Sequence, residues 1–275
     1  MTAPRLVISD IDGTLLNPAE RVAPRTAAAI GRLAERGVIV TLATGRPHRW
    51  LQPVVEQLPI RPRCVAANGA VIVDTEAGEI VETHLLEPAT MSEVVERARG
   101  ALASAGLPGL SIAVELPGEY SSDQEETFHI GPGYLHAWQA AGYVERGEAE
   151  LLSAPAVKLL LRNEHLQAQE FYDAVRDAVP ARLAHLTFSM REGLLEVMRP
   201  GVNKQLGAMA LARHYSVDAA DVACFGDMPN DREMIAWAGW GVAMGNAHPE
   251  LKAIANEVTG TNAEDGVAAV LERWV

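Results

Sequence analysis

Several times the chain runs through a short, mostly apolar stretch and then stops abruptly on small or polar residues. The runs are RLVIS before DIDGT, VIVTLA before TGRP, RCVA before ANGA, VACFG before DMPND, and WGVA before MGN. A strand with one face in water alternates apolar and polar residues, so strands apolar on both faces belong to parallel sheets covered by helices on either side. The intervening segments fit. A helix is expected from about Arg25 to Arg36, with Gly37 as its stop, and "PHRWLQPVVEQL" reads as a second, Pro47 being tolerable in its first turn. The fold class that follows is α/β, an open parallel sheet.

The texture changes beyond about Leu85. A helix-like stretch near Ser92–Ala105 leads to "LSIAVEL", "AVKLLLR", a helix near Gln167–Ala178, "HLTFSM" and "LLEVM". Strands in runs with separate helices describe an α+β unit. After "RPGVNK" the first texture returns: a helix near Lys204–His214, "DVACFG", a helix near Arg232–Ala238, "WGVAMGN". The expected organisation is therefore an α/β core, residues 1–84 and 199–275, interrupted by an inserted α+β domain, residues 85–198. The most loop-like stretch of the insertion is "GEYSSDQEETFHIGPG".

Composition narrows the function classes. With 48% hydrophobic and 21% charged residues the 275-residue chain is globular in type. A net charge of −13 argues against a general nucleic-acid binder, which needs a basic surface, but leaves room for a small phosphorylated ligand held at a local positive site. No run approaches the roughly 18 apolar residues of a membrane span, and the N-terminus lacks signal-peptide organisation. Cys64 and Cys224 stand far apart with no CxxC, so a reducing cytoplasm is the expected compartment.

Open α/β sheets bind ligands at the carboxyl ends of their strands, which is where the first run places Asp10 and Asp12. Two carboxylates one residue apart repel unless a divalent cation or a basic group compensates; the alternative is a simple Asx turn closed by Gly13 and Thr14. The second run ends on Thr44, Gly45 and Arg46. A hydroxyl and backbone N–H groups there suit a phosphate, although a helix cap explains them as well. Lys204 opens a helix, a position that favours acids, so it is either a solvated lysine or one with an anionic partner. Asp227, Asn230 and Asp231 follow the VACFG run, as oxygen ligands or as caps of the next helix.

Taken together, "DIDGTLL", "ATGR", "GVNK" and "GDMPND" resemble, in order and spacing, the four motifs of the haloacid dehalogenase superfamily of phosphotransferases. The long insertion with "AANGA", "GVAMGNAHPELKAIA" and "EDGVAAVL" is similar to the Cof-type branch, whose Rossmann-like core carries a large α/β cap. One local departure is Gln205, where relatives commonly have Gly.

The resemblance implies a Mg²⁺-dependent phosphatase of small phosphorylated metabolites, a sugar phosphate or a nucleotide-like cofactor phosphate. By the same resemblance Asp10 is the nucleophile that becomes an aspartyl-phosphate and Asp12 the general acid and base. Mg²⁺ is held by Asp10, the backbone carbonyl of Asp12 and Asp227, with Asp231 behind them. Thr44, Gly45 and Lys204 hold the phosphoryl oxygens, with Arg46 and Asn230 as further contacts. A phosphomutase uses the same acid pair, and a non-catalytic phosphometabolite-binding protein is the alternative from another class. Gly13, Asn68 and Asn246 offer contacts near the pocket or simply form turns. Met234 and Trp237 read as core, and the scattered His129, His136 and His185 match no compact zinc site.

Overall fold

The structure is a computed structural model that describes residues 3–118, 120, 127–135 and 142–275. It divides into two compact units, one from the N-terminus to Val81 together with Asn203–Val275, the other Glu82–Val202. In chain order the strands are β1 (Leu6–Ser9), β2 (Ile39–Ala43), β3 (Arg63–Ala66), β4 (Val71–Asp74), β5 (Glu79–Thr83), β6 (Ser111–Glu115) and β7 (Phe128–Ile130). They continue with β8 (Val144–Glu145), β9 (Lys158–Gln167), β10 (His185–Thr187), β11 (Glu192–Met198), β12 (Val222–Gly226), β13 (Trp240–Ala243) and β14 (Glu257–Val258).

The eight-stranded sheet has the order β14-β13-β12-β1-β2-β3-β4-β5. From β14 to β3 every pairing is parallel. The apolar runs supply these strands, and Leu6, Ile8, Leu42, Cys64, Val65, Ala223, Phe225 and Val242 are fully buried. The expected parallel sheet is present, and it carries an antiparallel edge, where β4 pairs with β3. Only Ala67–Ala70 separate the two strands, too few residues for a parallel crossover and enough for a hairpin.

The Pro24–Glu35 helix buries Thr26, Ala29, Ile30 and Leu33 on one face, with Pro24 in its first turn, where a missing N–H costs nothing. The single helix expected over "PHRWLQPVVEQL" is instead two short pieces, His48–Trp50 and Gln52–Val55. Pro47 and Pro53 each suit a helix start and neither suits an interior, so two starts six residues apart split the segment. Met234 is buried as expected, whereas Trp237 is half-buried.

The second unit has a six-stranded sheet, order β10-β11-β9-β6-β7-β8, antiparallel except for β7 beside β8. Helices Pro88–Ser104 and Ala168–Val175 accompany it, the second opened by a capping box of Gln167 and Glu170. Part of the loop-like stretch 118–133 lies outside the described residues, as does His136. Among the described residues no helix is long and apolar enough to cross a membrane.

Both cysteines are buried and free. Burial pushes the Cys64 thiol up to about 12 and raises that of Cys224, with Asp231 adding to the latter. A thiol-specific reagent at pH 8 should therefore titrate none in the native protein and two after denaturation, since the thiolate is the reactive form. Rapid native labelling would show that these strands open readily.

Candidate active site

The carboxyl ends of β1 and β12 lie side by side and carry most of the charged groups. Beyond β1, the Asp10 N–H donates to the Phe225 carbonyl on β12 at 2.9 Å, which continues the sheet ladder one residue past the strand. The chain then turns tightly through Ile11–Leu15, with Gly13 at φ +74. A Cβ on Gly13 would lie 2.2 Å from Asp227 Oδ2, so only glycine lets the turn close against that carboxylate. The Thr14 hydroxyl donates to Asp227 Oδ1 at 3.2 Å. Asn246, just past β13, donates to the Gly13 carbonyl at 2.8 Å and to Asp227 Oδ2 at 3.4 Å.

Lys204 opens the helix Lys204–His214, whose N-terminus is capped by the Asn203 side chain accepting from Leu206 N–H at 3.0 Å. The lysine is fully buried. Its ammonium donates at 2.6 Å to Asp10 Oδ1 and at 2.6 Å to Asp231 Oδ1. The other oxygen of Asp231 accepts the backbone N–H groups of Asp227 and Met228, both at 3.1 Å. Asp231 thus ties the lysine to the loop that holds Asp227.

Asp10, Asp227 and Asp231 are all buried and present carboxylate oxygens within 4.8 Å of one another. Burial drives the Asp10 carboxyl well above its usual range; Lys204 pulls it down, and Asp231, Asp227 and Asp12 push it up again. Burial and then Asp231 raise Asp227 to about 7, against the opposing pull of Lys204 and Thr14. Burial alone would lower the Lys204 ammonium, but Asp10 and Asp231 outweigh it and hold the group above the ordinary lysine range. Three buried carboxylates against one ammonium leave the cluster short of positive charge. All-oxygen donors with surplus negative charge are what a hard divalent cation requires, so these residues fit Mg²⁺.

Asp12 is not part of that cluster. It is exposed, and both its oxygens accept from Arg46, from Nε at 2.7 Å and Nη2 at 2.5 Å. Burial would lower the Arg46 guanidinium, but the bonds to Asp12 raise it on balance. In this structure Arg46 therefore serves a carboxylate. The Thr44 hydroxyl oxygen accepts the Arg46 N–H at 3.0 Å, and Gly45 lies between them, half-buried. Asn230 is buried and donates from Nδ2 to Asn68 Oδ1 at 3.0 Å. His129 and His185 belong to the second unit and to no metal-ligating group among the described residues.

Of the two supports of Asp227, the sequence marks Asn246 as a contact near the pocket or a turn residue, and does not mark Thr14, which reads there as part of a turn. The available signal is position: Asn246 stands three residues beyond the end of a buried parallel strand, as Asp10 and Asp227 stand one beyond theirs.

Residues 7–271 match the family model described as haloacid dehalogenase-like hydrolase. The chain is 33% identical to an HMP-PP phosphatase of Serratia proteamaculans, over 98% of this chain and 95% of the relative. It is 27% identical to the 5-amino-6-(5-phospho-D-ribitylamino)uracil phosphatase of Bacillus subtilis, over 99% and 98%. A crystal structure of a haloacid dehalogenase-like hydrolase from Bacteroides thetaiotaomicron, 26% identical, superposes with a TM-score of 0.74 over 99% of this chain and all of that one. With nearly its whole length matched and the charged groups gathered at the strand ends, the chain belongs to the haloacid dehalogenase-like hydrolase family.

Proposed function

We propose that this protein is a Mg²⁺-dependent phosphatase of small phosphorylated metabolites, with Asp10 as nucleophile and Asp12 as the proton carrier. The observation that carries the reading is the ammonium of Lys204, buried between Asp10 and Asp231 in a cluster that still holds excess negative charge. A surface ion pair needs no such burial, and a purely structural one would balance its charges.

Lys204 fixes Oδ1 of Asp10 and so orients the carboxylate. A carboxylate oxygen of Asp10 attacks phosphorus, and the bond to the ester oxygen breaks as Asp12 gives that oxygen a proton. Water then attacks the aspartyl-phosphate and passes its proton to Asp12; the bond to Asp10 breaks and inorganic phosphate leaves. An ammonium has three N–H donors, of which two are taken by Asp10 and Asp231, so a third serves a phosphoryl oxygen, with Thr44 and the Gly45 backbone beside it. Arg46 holds both oxygens of Asp12, so proton transfer requires this ion pair to open.

Asp10, Asp227 and the backbone carbonyl of Asp12 would hold Mg²⁺, with Asp231 behind them. When bound it supplies positive charge to the phosphoryl oxygens and offsets the carboxylates. The unit Glu82–Val202 is the part that selects the leaving group. A screen starts with HMP-PP and 5-amino-6-(5-phospho-D-ribitylamino)uracil, the compounds in the names of the Serratia and Bacillus relatives, followed by sugar phosphates, flavin mononucleotide and pyridoxal phosphate.

The test is phosphate release over that panel with Mg²⁺. We expect turnover of at least one compound, abolished by a chelator and restored by Mg²⁺, with one dephosphorylated product per phosphate. Formation of an isomeric phosphate ester with no free phosphate would replace this reading by a mutase.

A further inference from the structure

The turn between β3 and β4 carries none of the reacting groups, yet it is built at conformational cost. Ala67, Asn68 and Gly69 follow one another at φ +47, +54 and +96, and all three are buried. Left-handed backbone is unfavourable for residues other than glycine and persists where the surroundings enforce it.

Three separate segments do so here. Ala67 N–H donates to the Arg46 carbonyl at 2.8 Å and Asn68 N–H to the Thr44 carbonyl at 2.9 Å, which registers the loop after β2. A Cβ on Gly69 would lie 2.1 Å from the Asn203 carbonyl oxygen, so the start of the helix that carries Lys204 rests directly on the backbone of the turn. Asn230, the neighbour of Asp231, donates to Asn68 Oδ1 at 3.0 Å. That last bond joins distant parts of the sheet. β12 and β3 are separated by β1 and β2, which is three strand spacings or roughly 14 Å at ~4.8 Å each. The bond between the two amides therefore closes across the ends of β1 and β2, where Asp10 and Thr44 sit.

We infer that Asn68 is a positioning residue: its side chain, bonded to Asn230, sets the spacing between the Thr44–Arg46 loop, Lys204 and Asp231. The inference rests on the phosphatase reading, in which those three segments surround one phosphoryl group. A misplacement of about 1 Å at such a site can cost up to about 100-fold in rate.

The test separates this role from mere turn formation. Asn68→Gly keeps the left-handed backbone and removes the side-chain amide, and with it the oxygen that accepts from Asn230. In the full-length, Mg²⁺-loaded protein, with the best substrate of the screen, we expect kcat/KM to fall about 10- to 100-fold. We also expect the Kd for inorganic phosphate, measured by calorimetric titration, to rise about fivefold or more. Asn230→Ala should do the same, and the double variant should be no worse than the poorer single one, since all three lack one shared bond. Asn68→Gly within about twofold of wild type on both readouts, or losses that multiply in the double variant, would overturn the inference.

Should Asn68→Gly fail to fold, Asn230→Ala, which leaves the turn untouched, decides alone: wild-type kcat/KM and phosphate affinity overturn the role. A wild type that neither releases nor binds phosphate sinks the phosphatase reading; an active wild type with unaffected variants sinks only the positioning role.

Discussion

Asp10→Asn should lose phosphate release by at least about 10⁴-fold in kcat while leaving a protein that melts no lower than wild type without metal. An amide of the same shape cannot attack phosphorus, so no aspartyl-phosphate forms. Stability goes the other way because of the charge imbalance. Burial already holds the Asp10 carboxyl well above its usual range, with Asp231 and Asp227 adding repulsion. Removing its charge relieves that repulsion, and Lys204 keeps its bond to Asp231 at 2.6 Å. Paired measurements of phosphate release and thermal unfolding check both halves. Activity within tenfold of wild type would remove Asp10 from the nucleophile role; a fall of several degrees in Tm would mean that Lys204 needs both carboxylates.

Lys204→Met is expected to cause the largest stability loss, about 3–5 kcal/mol at pH 8 without metal, because it strands buried carboxylates with no cation. For a unit of this size that corresponds to about 6–20 °C in apparent Tm. The pH dependence has a definite sign. Asp10 and Asp227 are acids whose folded-state pKa is already raised, Asp227 to about 7, and Lys204 is the main influence holding both down. Without it both rise further. A carboxyl raised on folding destabilises the native state as pH climbs from its unfolded value, near 4, through its folded one. The variant should thus approach wild type near pH 5 and fall furthest behind at pH 8, where added Mg²⁺ should narrow the gap. Turnover should drop about 10²- to 10³-fold through loss of the phosphoryl contact. A variant melting within 2 °C of wild type at pH 8, roughly half a kcal/mol, would show that the cluster does not depend on this lysine.

The parallel part of the core sheet was legible because β1, β2, β3, β12 and β13 are apolar on both faces, a pattern that only doubly covered strands satisfy. The antiparallel edge was not: "VIVDTEAGEI" declares a strand and a turn but not which neighbour it pairs with. The broken helix after Gly45 is hidden in the sequence because one proline looks like a start, and only the pair shows that two starts compete. At the site, the residue types at the strand ends were readable. Their partners were not, since Asp12 meets Arg46 from 34 positions away and Asn68 meets Asn230 from 162.

What the sequence determines by itself is which chemical groups stand at the ends of buried strands: two acids after β1, a hydroxyl and glycine after β2, a lysine at a helix start, and acids after β12. Local patterning suffices for that, because strand burial and turn chemistry are short-range properties. Only the tertiary structure decides how the charges divide. Lys204 goes to Asp10 and Asp231, Arg46 goes to Asp12, and Asp227 is left with Thr14 and Asn246. Desolvation and Coulomb attraction depend on distance and burial in space, and both are set by how the sheet packs. The surplus of negative charge, which suits a metal ion, is a property of that packing.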